Sequence, residues 1–189
     1  MIREEEGLQI ISSARHVLLN QLQLIKGYMY MQNPQKANAV IDQLTARLRV
    51  QSQLSRLGLP QTTFYLLTKS WSALPYKLLI RVADGVQRSI EPARLALLDQ
   101  RLKILLEDIA LYLQKSVCDS VENTVDLLFL DDQNGLQIKL FFSGLLQSGK
   151  TLPGELRERL MNGSFAWKDN YIEATEQQKM RWDLCLLIK

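Results

Sequence analysis

The chain's one histidine, His16, lies in the segment ARHVLLNQLQLIKGYMYM, Ala14 to Met31, with Asn20 four residues further on. Imidazole is the side chain best suited to take up and release a phosphoryl group near neutral pH, where a ring nitrogen is free to attack. Residues three and four apart share a helix face. On a helix, His16 therefore stands among Ser12, Ser13, Leu19 and Asn20, with Gln23 one turn beyond. The apolar seam runs beside this strip and leaves the histidine out. A lone histidine on a helix is most often solvated or half-buried without a task. Exposed on a polar strip, it becomes a nucleophile that a partner's phosphoryl group can reach.

Other chemistry-bearing residues are weaker candidates. Cys118 and Cys185 stand apart, without metal-ligand spacing, and read as reduced, buried structural thiols of a cytoplasmic protein. Gly144-Leu-Leu-Gln-Ser-Gly149-Lys150-Thr151 matches the G-x-x-x-x-G-K-T pattern in which backbone N–H groups and a lysine cradle phosphates. Its context argues for chance. Pro153-Gly154 falls in the first turn of the helix such a loop requires, and the preceding strand belongs to a hairpin. Arg47, Arg49 and Arg56 read as solvated surface, and Trp71, Trp167 and Trp182 as core or domain packing.

The element that must carry His16 is a long helix. Leu8, Ile11, Arg15, Leu18, Leu22, Ile25 and Met29 alternate spacings of three and four, a heptad seam. Asn33-Pro34 ends it, because the residue before proline is pushed out of the helical region. A second stripe follows at Ala37, Ile41, Leu44, Leu48, Leu54 and Leu57, closed by Gly58 and Pro60. Residues 1–59 thus form a helical hairpin. Two helices cannot bury such a seam alone, so the expectation is a homodimer pairing two hairpins into a four-helix bundle.

From residue 60 to 189 the pattern changes. A short helix at Gln61–Ser72, a strand at Tyr76–Asp84 and a helix over 92–117 are expected. A hairpin follows, TVDLLFL and LQIKLFF about Asp132-Gln133-Asn134-Gly135, since Asn-Gly tolerates positive φ. A short helix at Pro153–Met161 and a last strand at Trp182–Ile188 complete a two-layer α+β domain with a largely antiparallel sheet.

ARHVLLNQLQLIKGY resembles the histidine-box helix of two-component signalling proteins, in the branch where Asn follows the histidine by four positions. It is most similar to the sporulation-initiation phosphotransferases of spore-forming bacteria. There the helix reads Arg-His, then Asn, then Leu-Gln-Leu-Ile-Lys-Gly, here Arg15-His16, Asn20 and Leu22–Gly27. The resemblance is specific over this stretch and architectural elsewhere. It implies that His16 is the phospho-accepting residue, with Arg15, Asn20, Gln23 and Lys26 as accessory or partner-binding groups. It also implies that residues 60–189 are a degenerate histidine-kinase ATPase-like domain. The family's acidic residue after the histidine is replaced here by Val17. The helix at 92–117 lacks the magnesium-holding asparagine of active kinases, and no Asp-x-Gly-x-Gly follows it. These departures speak against self-phosphorylation with ATP.

The resulting expectation is a phosphotransferase passing a phosphoryl group from a single-domain response regulator, through His16, to a transcription-factor regulator of a sporulation phosphorelay. No cofactor is expected on this chain; Mg²⁺ comes with the regulator. An ATP-dependent autokinase or its fragment, and a non-catalytic dimeric adaptor for regulators, are the alternatives. The small net charge of +3, with acidic and basic residues interspersed, argues against nucleic acid. No apolar run reaches the roughly 18 residues of a membrane helix, and MIREEEG has no signal-peptide character.

Overall fold

Helix α1 spans Glu4–Tyr30 and α2 spans Pro34–Ser55. The structure, a computed structural model, describes residues 4–83, 92–118, 120–132, 135–147, 166–172 and 180–188. Between the two helices the backbone reverses in three residues. Gln32 takes a φ of 55°, and Asn33 N–H donates back to Tyr28 C=O at 2.9 Å. The Asn33 side chain accepts from Lys36 N–H at 3.2 Å and so caps α2. Pro34 takes the first helical position, where its missing N–H costs nothing. Asn33-Pro34 therefore both ends one helix and starts the next.

The two helices pack side by side. Ile10, Ala14, Val17, Leu18, Gln21, Ile25 and Tyr28 of α1 are half-buried at helical spacing. The heptad seam is consequently split. Leu18 and Ile25 are partly covered, whereas Leu8, Ile11, Leu22 and Met29 stay exposed, as do Ile41 and Leu48 of α2. One neighbouring helix shields only one flank of a cylinder, so a single hairpin leaves the other flank open.

The junction to the rest of the chain is packed. Leu54, Leu57 and Leu59 are buried in the same core as the C-terminal elements. Gly58 adopts a φ of 65°, and a Cβ there would meet Leu95 Cδ2 at 3.1 Å. Helix α3, Pro60–Ser70, follows immediately. Its N-cap residue, Leu59, offers no side-chain acceptor. Asp99 supplies one from a distant helix: Gln61 and Thr62 N–H donate to its carboxylate at 2.7 and 2.8 Å. Thr62 Oγ1 adds a bond to Asp99 C=O at 3.2 Å, and Thr63 Oγ1 donates to Leu54 C=O at 3.0 Å.

Beyond α3 come β1 (Lys77–Val82), α4 (Pro92–Ser116), β2 (Thr124–Asp132), β3 (Gly135–Gly144), β4 (Ala166–Ile172) and β5 (Met180–Ile188). Among the described residues they form one sheet in the order β1-β2-β3-β5-β4. β1 and β2 are parallel, Leu78 opposite Val125 and Ile80 opposite Leu127, with α4 in the crossover that parallel pairing demands. The remaining pairs are antiparallel. Alternate residues turn to one face: Val125, Leu127 and Phe129 of β2, and Leu136, Ile138, Leu140 and Phe142 of β3, all buried. Leu98, Leu102, Leu105, Leu106, Ile109 and Leu113 of α4 are buried with them in the same core. This is the two-layer α+β arrangement that the sequence pattern implies. Asp132 pairs with Gly135, so only Gln133 and Asn134 separate the hairpin strands. β4 has no counterpart in the sequence reading. Its centre, Lys168-Asp169-Asn170, carries no apolar alternation, and as an edge strand it pairs on one side only. The helix expected at Pro153–Met161 lies outside the described residues.

Candidate phosphotransfer face

His16 sits in the middle of α1 with its side chain exposed, and among the described residues no other side chain hydrogen-bonds to it or pairs with it. Asn20 and Gln23, one and two turns on, are exposed along the same strip. Arg15 is also exposed but stands on the neighbouring seam line. Lys26 is exposed ten residues on, which at 1.5 Å per residue is roughly 15 Å along the axis. The helix therefore brings His16, Asn20 and Gln23 together, places Arg15 at their border and leaves Lys26 at a distance. Val17 is half-buried beside α2, so no carboxylate adjoins the imidazole in the chain.

N-terminal to the histidine, the same helix forms one wall of a cleft of about 290 Å³. Gln9, Ile10 and Ser13 face Thr68, Lys69, Trp71 and Ser72 from the end of α3 across it. The Arg47 guanidinium lies 5.6 Å from the Trp71 ring centroid, and the Lys69 ammonium 5.6 Å from that of Tyr65. Arg47 is exposed, as are Arg49 and Arg56, in keeping with the surface reading, and it reaches Trp71 at the junction of hairpin and sheet domain. The sequence offers no periodic signal for this cleft, because its two walls are more than fifty residues apart.

The phosphate-loop match dissolves at its first glycine. Gly144 is the buried last residue of β3, and a Cβ there would collide with Asn123 Oδ1 and the Phe142 ring. Asn123 is itself buried. It donates to Cys118 C=O at 2.9 Å and Val121 C=O at 3.2 Å, and accepts from Leu145 N–H at 2.9 Å. Close packing on that side chain requires glycine at 144. The strand before the loop is antiparallel to both neighbours, unlike the parallel strand of a phosphate loop. Gly149, Lys150 and Thr151 lie outside the described residues. Cys118 departs from the sequence reading: it is half-exposed, with Sγ 3.1 Å from Ser120 Oγ, because it follows α4 on the way to β2.

Among the described residues no helix is long and apolar enough to cross a membrane. No group of three or more His, Cys, Asp or Glu side chains among them is placed to hold a metal ion.

Residues 2–57 match the sensor kinase SpoOB-type alpha-helical domain, and residues 58–181 match the sporulation initiation phospho-transferase B C-terminal domain. The sporulation initiation phosphotransferase B of Bacillus subtilis (strain 168) is 26% identical over 140 residues, covering 72% of this chain and 68% of that protein. Among solved structures, the blue-light activated histidine kinase of Erythrobacter litoralis EL346 aligns at a TM-score of 0.40 and 12% identity, over 99% of this chain. The histidine kinase domain of the same protein aligns at 0.40 and 9% identity over 74% of this chain. In both cases the chain spans 61% of the solved protein's length.

Proposed function

The chain belongs to the sporulation initiation phosphotransferase B family, and on that premise we infer that it relays a phosphoryl group between two response regulators through His16. The observation that carries this reading is an imidazole in the middle of α1, exposed and free of side-chain partners among the described residues.

The first half-reaction begins with a phosphorylated single-domain regulator docked on α1. A ring nitrogen of His16 attacks the aspartyl phosphorus. The N–P bond forms as the acyl O–P bond breaks, and that electron pair returns to the regulator's carboxylate. The second half-reaction is the reverse, with the aspartate of a transcription-factor regulator as nucleophile. An acyl phosphate is already activated, so no carboxylate base beside the histidine is needed, which suits Val17. The transition state is loose and demands in-line placement and charge neutralisation more than covalent help. Mg²⁺ carried by the regulator supplies that neutralisation. Asn20 and Gln23 are placed to donate to phosphoryl oxygens or to the docked regulator, and Arg15 to approach from the seam side.

In this reading residues 1–59 dimerise and transfer, and the exposed seam of Leu8, Ile11, Leu22 and Met29 is the surface that a second hairpin covers. Residues 60–189 form the degenerate kinase-ATPase-like part, which does not feed His16 from ATP. The chain is incubated with a phosphorylated single-domain regulator and acid-labile, base-stable phosphate on this chain is followed. Label on wild type and none on His16→Ala, with regulator binding within a few-fold, is the expected result. Label from ATP alone would instead identify an autokinase. Binding without label on wild type would identify an adaptor.

A further inference from the structure

The cleft beside α1 and the strip that carries His16 form one continuous surface. Ser13 belongs to both: it lines the cleft, and it stands one turn before His16 on the same flank of the helix. At about 100° per residue, Ser13 lies roughly 60° from His16 around α1 and roughly 140–180° from Leu8, Ile11, Leu22 and Met29. A second hairpin laid on that seam therefore leaves the cleft open. Size ties the two together as well. A partner in a complex of standard size covers about 800 Å² of its target, a patch roughly 16 Å in radius. Gln9, at the far end of the cleft, is seven residues from His16, roughly 10 Å along the axis. A protein centred on the imidazole therefore covers the cleft too.

We propose that this cleft receives an acidic loop of the docked response regulator, so that Lys69 and Trp71 decide which regulators are accepted. This contact presupposes the phosphotransfer reading of His16 and adds a specificity site beside it. Among the described residues lining the cleft, Lys69 is the one charged side chain, and no carboxylate faces it from α1. Its ammonium lies 5.6 Å from the centroid of the Tyr65 ring. An ammonium has three donors, so contact with a ring face leaves N–H groups for a carboxylate. The Arg47 guanidinium, 5.6 Å from the Trp71 ring centroid, adds a second positive charge to that wall. The Thr68 and Ser72 hydroxyls already donate to Tyr65 and Thr68 C=O at 2.7 and 2.9 Å, so the charged donor left to the cleft is Lys69. Ile10 and Trp71 add apolar surface against which the stem of the loop packs, and a tryptophan in a concave site is a favoured anchor of interfaces. A regulator with a basic loop at this point meets like charge and is rejected.

Transfer and docking are measured on the full-length chain with a phosphorylated single-domain response regulator, the Kd being read in the His16→Ala background so that no phosphate moves. Lys69→Glu is expected to raise both the KM for transfer and the Kd about tenfold, with the rate at saturating regulator within about twofold of wild type. Gln9→Trp, which fills the cleft roughly 10 Å from the imidazole, should act in the same way. Lys115→Glu makes the same charge change at an exposed site on α4 and should leave both constants unchanged. Circular dichroism checks that each variant folds. A KM and Kd within about twofold of wild type in Lys69→Glu and Gln9→Trp overturn the cleft as a docking site. An equal loss in Lys115→Glu overturns it too, by assigning the effect to net charge. A wild type that binds the regulator and takes no label overturns the phosphotransfer reading instead, and the Kd comparison still decides the cleft.

Discussion

A phosphoryl group on the His16 ring brings negative charge to a strip of α1 where the protein offers amides rather than carboxylates. Asn20 is the nearest, one turn on and exposed. Its side-chain amide has both a donor and an acceptor, so it can meet a phosphoryl oxygen or a regulator backbone group. Asn20→Ala is predicted to slow transfer about tenfold, the worth of one charge-assisted hydrogen bond lost in the transition state. Stopped transfer assays over a few seconds would measure it, and an unchanged rate would remove Asn20 from the site. Asn20→Asp should be slower still, because a carboxylate repels the incoming phosphate. Lys26→Ala, by contrast, should change the rate little, being about three turns along the helix. The residue types and their spacing were legible in the chain; that His16 stands free of side-chain partners among the described residues was not, since spacing alone does not say which helix flank a neighbour covers.

At the scale of elements, the placement of α3 depends on one long-range cap. Leu59 precedes α3 without a capping side chain, and Asp99, 1% exposed, reaches across from α4 to hold the first N–H groups. Removing it strands buried donors at a helix N-terminus. Asp99→Ala is predicted to cost about 2–3 kcal/mol of stability, the combined scale of a lost cap and unsatisfied buried N–H groups. Urea unfolding would measure this, and Asp99→Asn should lose less because one acceptor remains. A loss below half a kilocalorie would mean that α3 is held by packing alone. The cap was hidden from sequence reading because thirty-seven residues and a strand separate Thr62 from Asp99. Local signals did locate the other elements. Asn33-Pro34 ends α1 as its chemistry requires, and β2 and β3 pair as the expected hairpin. The edge strand β4 escaped because its polar centre lacks the alternation by which strands are recognised.

For the whole molecule, two consequences follow from how surfaces are covered. The exposed seam on α1 should be the hairpin's association surface. Leu22→Glu with Met29→Glu is predicted to convert dimers to monomers in light scattering while leaving the sheet domain folded, since neither residue belongs to its core. A monomeric wild type would sink that expectation outright. The second consequence concerns pH. Tyr65 and Tyr76 have their ionisation pushed above the ordinary value of 10.0, chiefly by burial, with Tyr76 and Glu107 adding to it at Tyr65. Their hydroxyls are held neutral in the fold, and Tyr65 donates to Leu106 C=O at 3.3 Å. The unfolded chain releases those protons first. Stability from these groups is therefore intact below about pH 10 and declines as pH rises beyond it. Melting temperature followed from pH 8 to about 11 should fall less steeply in Tyr65→Phe/Tyr76→Phe than in wild type. What the linear chain determined by itself were the quantities set by near neighbours: helix faces, the break at Asn33-Pro34, the pairing of β2 with β3 and the residues sharing a strip with His16. Only the tertiary structure decided which flank of α1 its neighbour shields, that Asp99 caps a distant helix, that Arg47 lies over Trp71, and that Gly144 answers to Asn123. Those depend on groups far apart in sequence meeting in space, and local periodicity carries no record of such meetings.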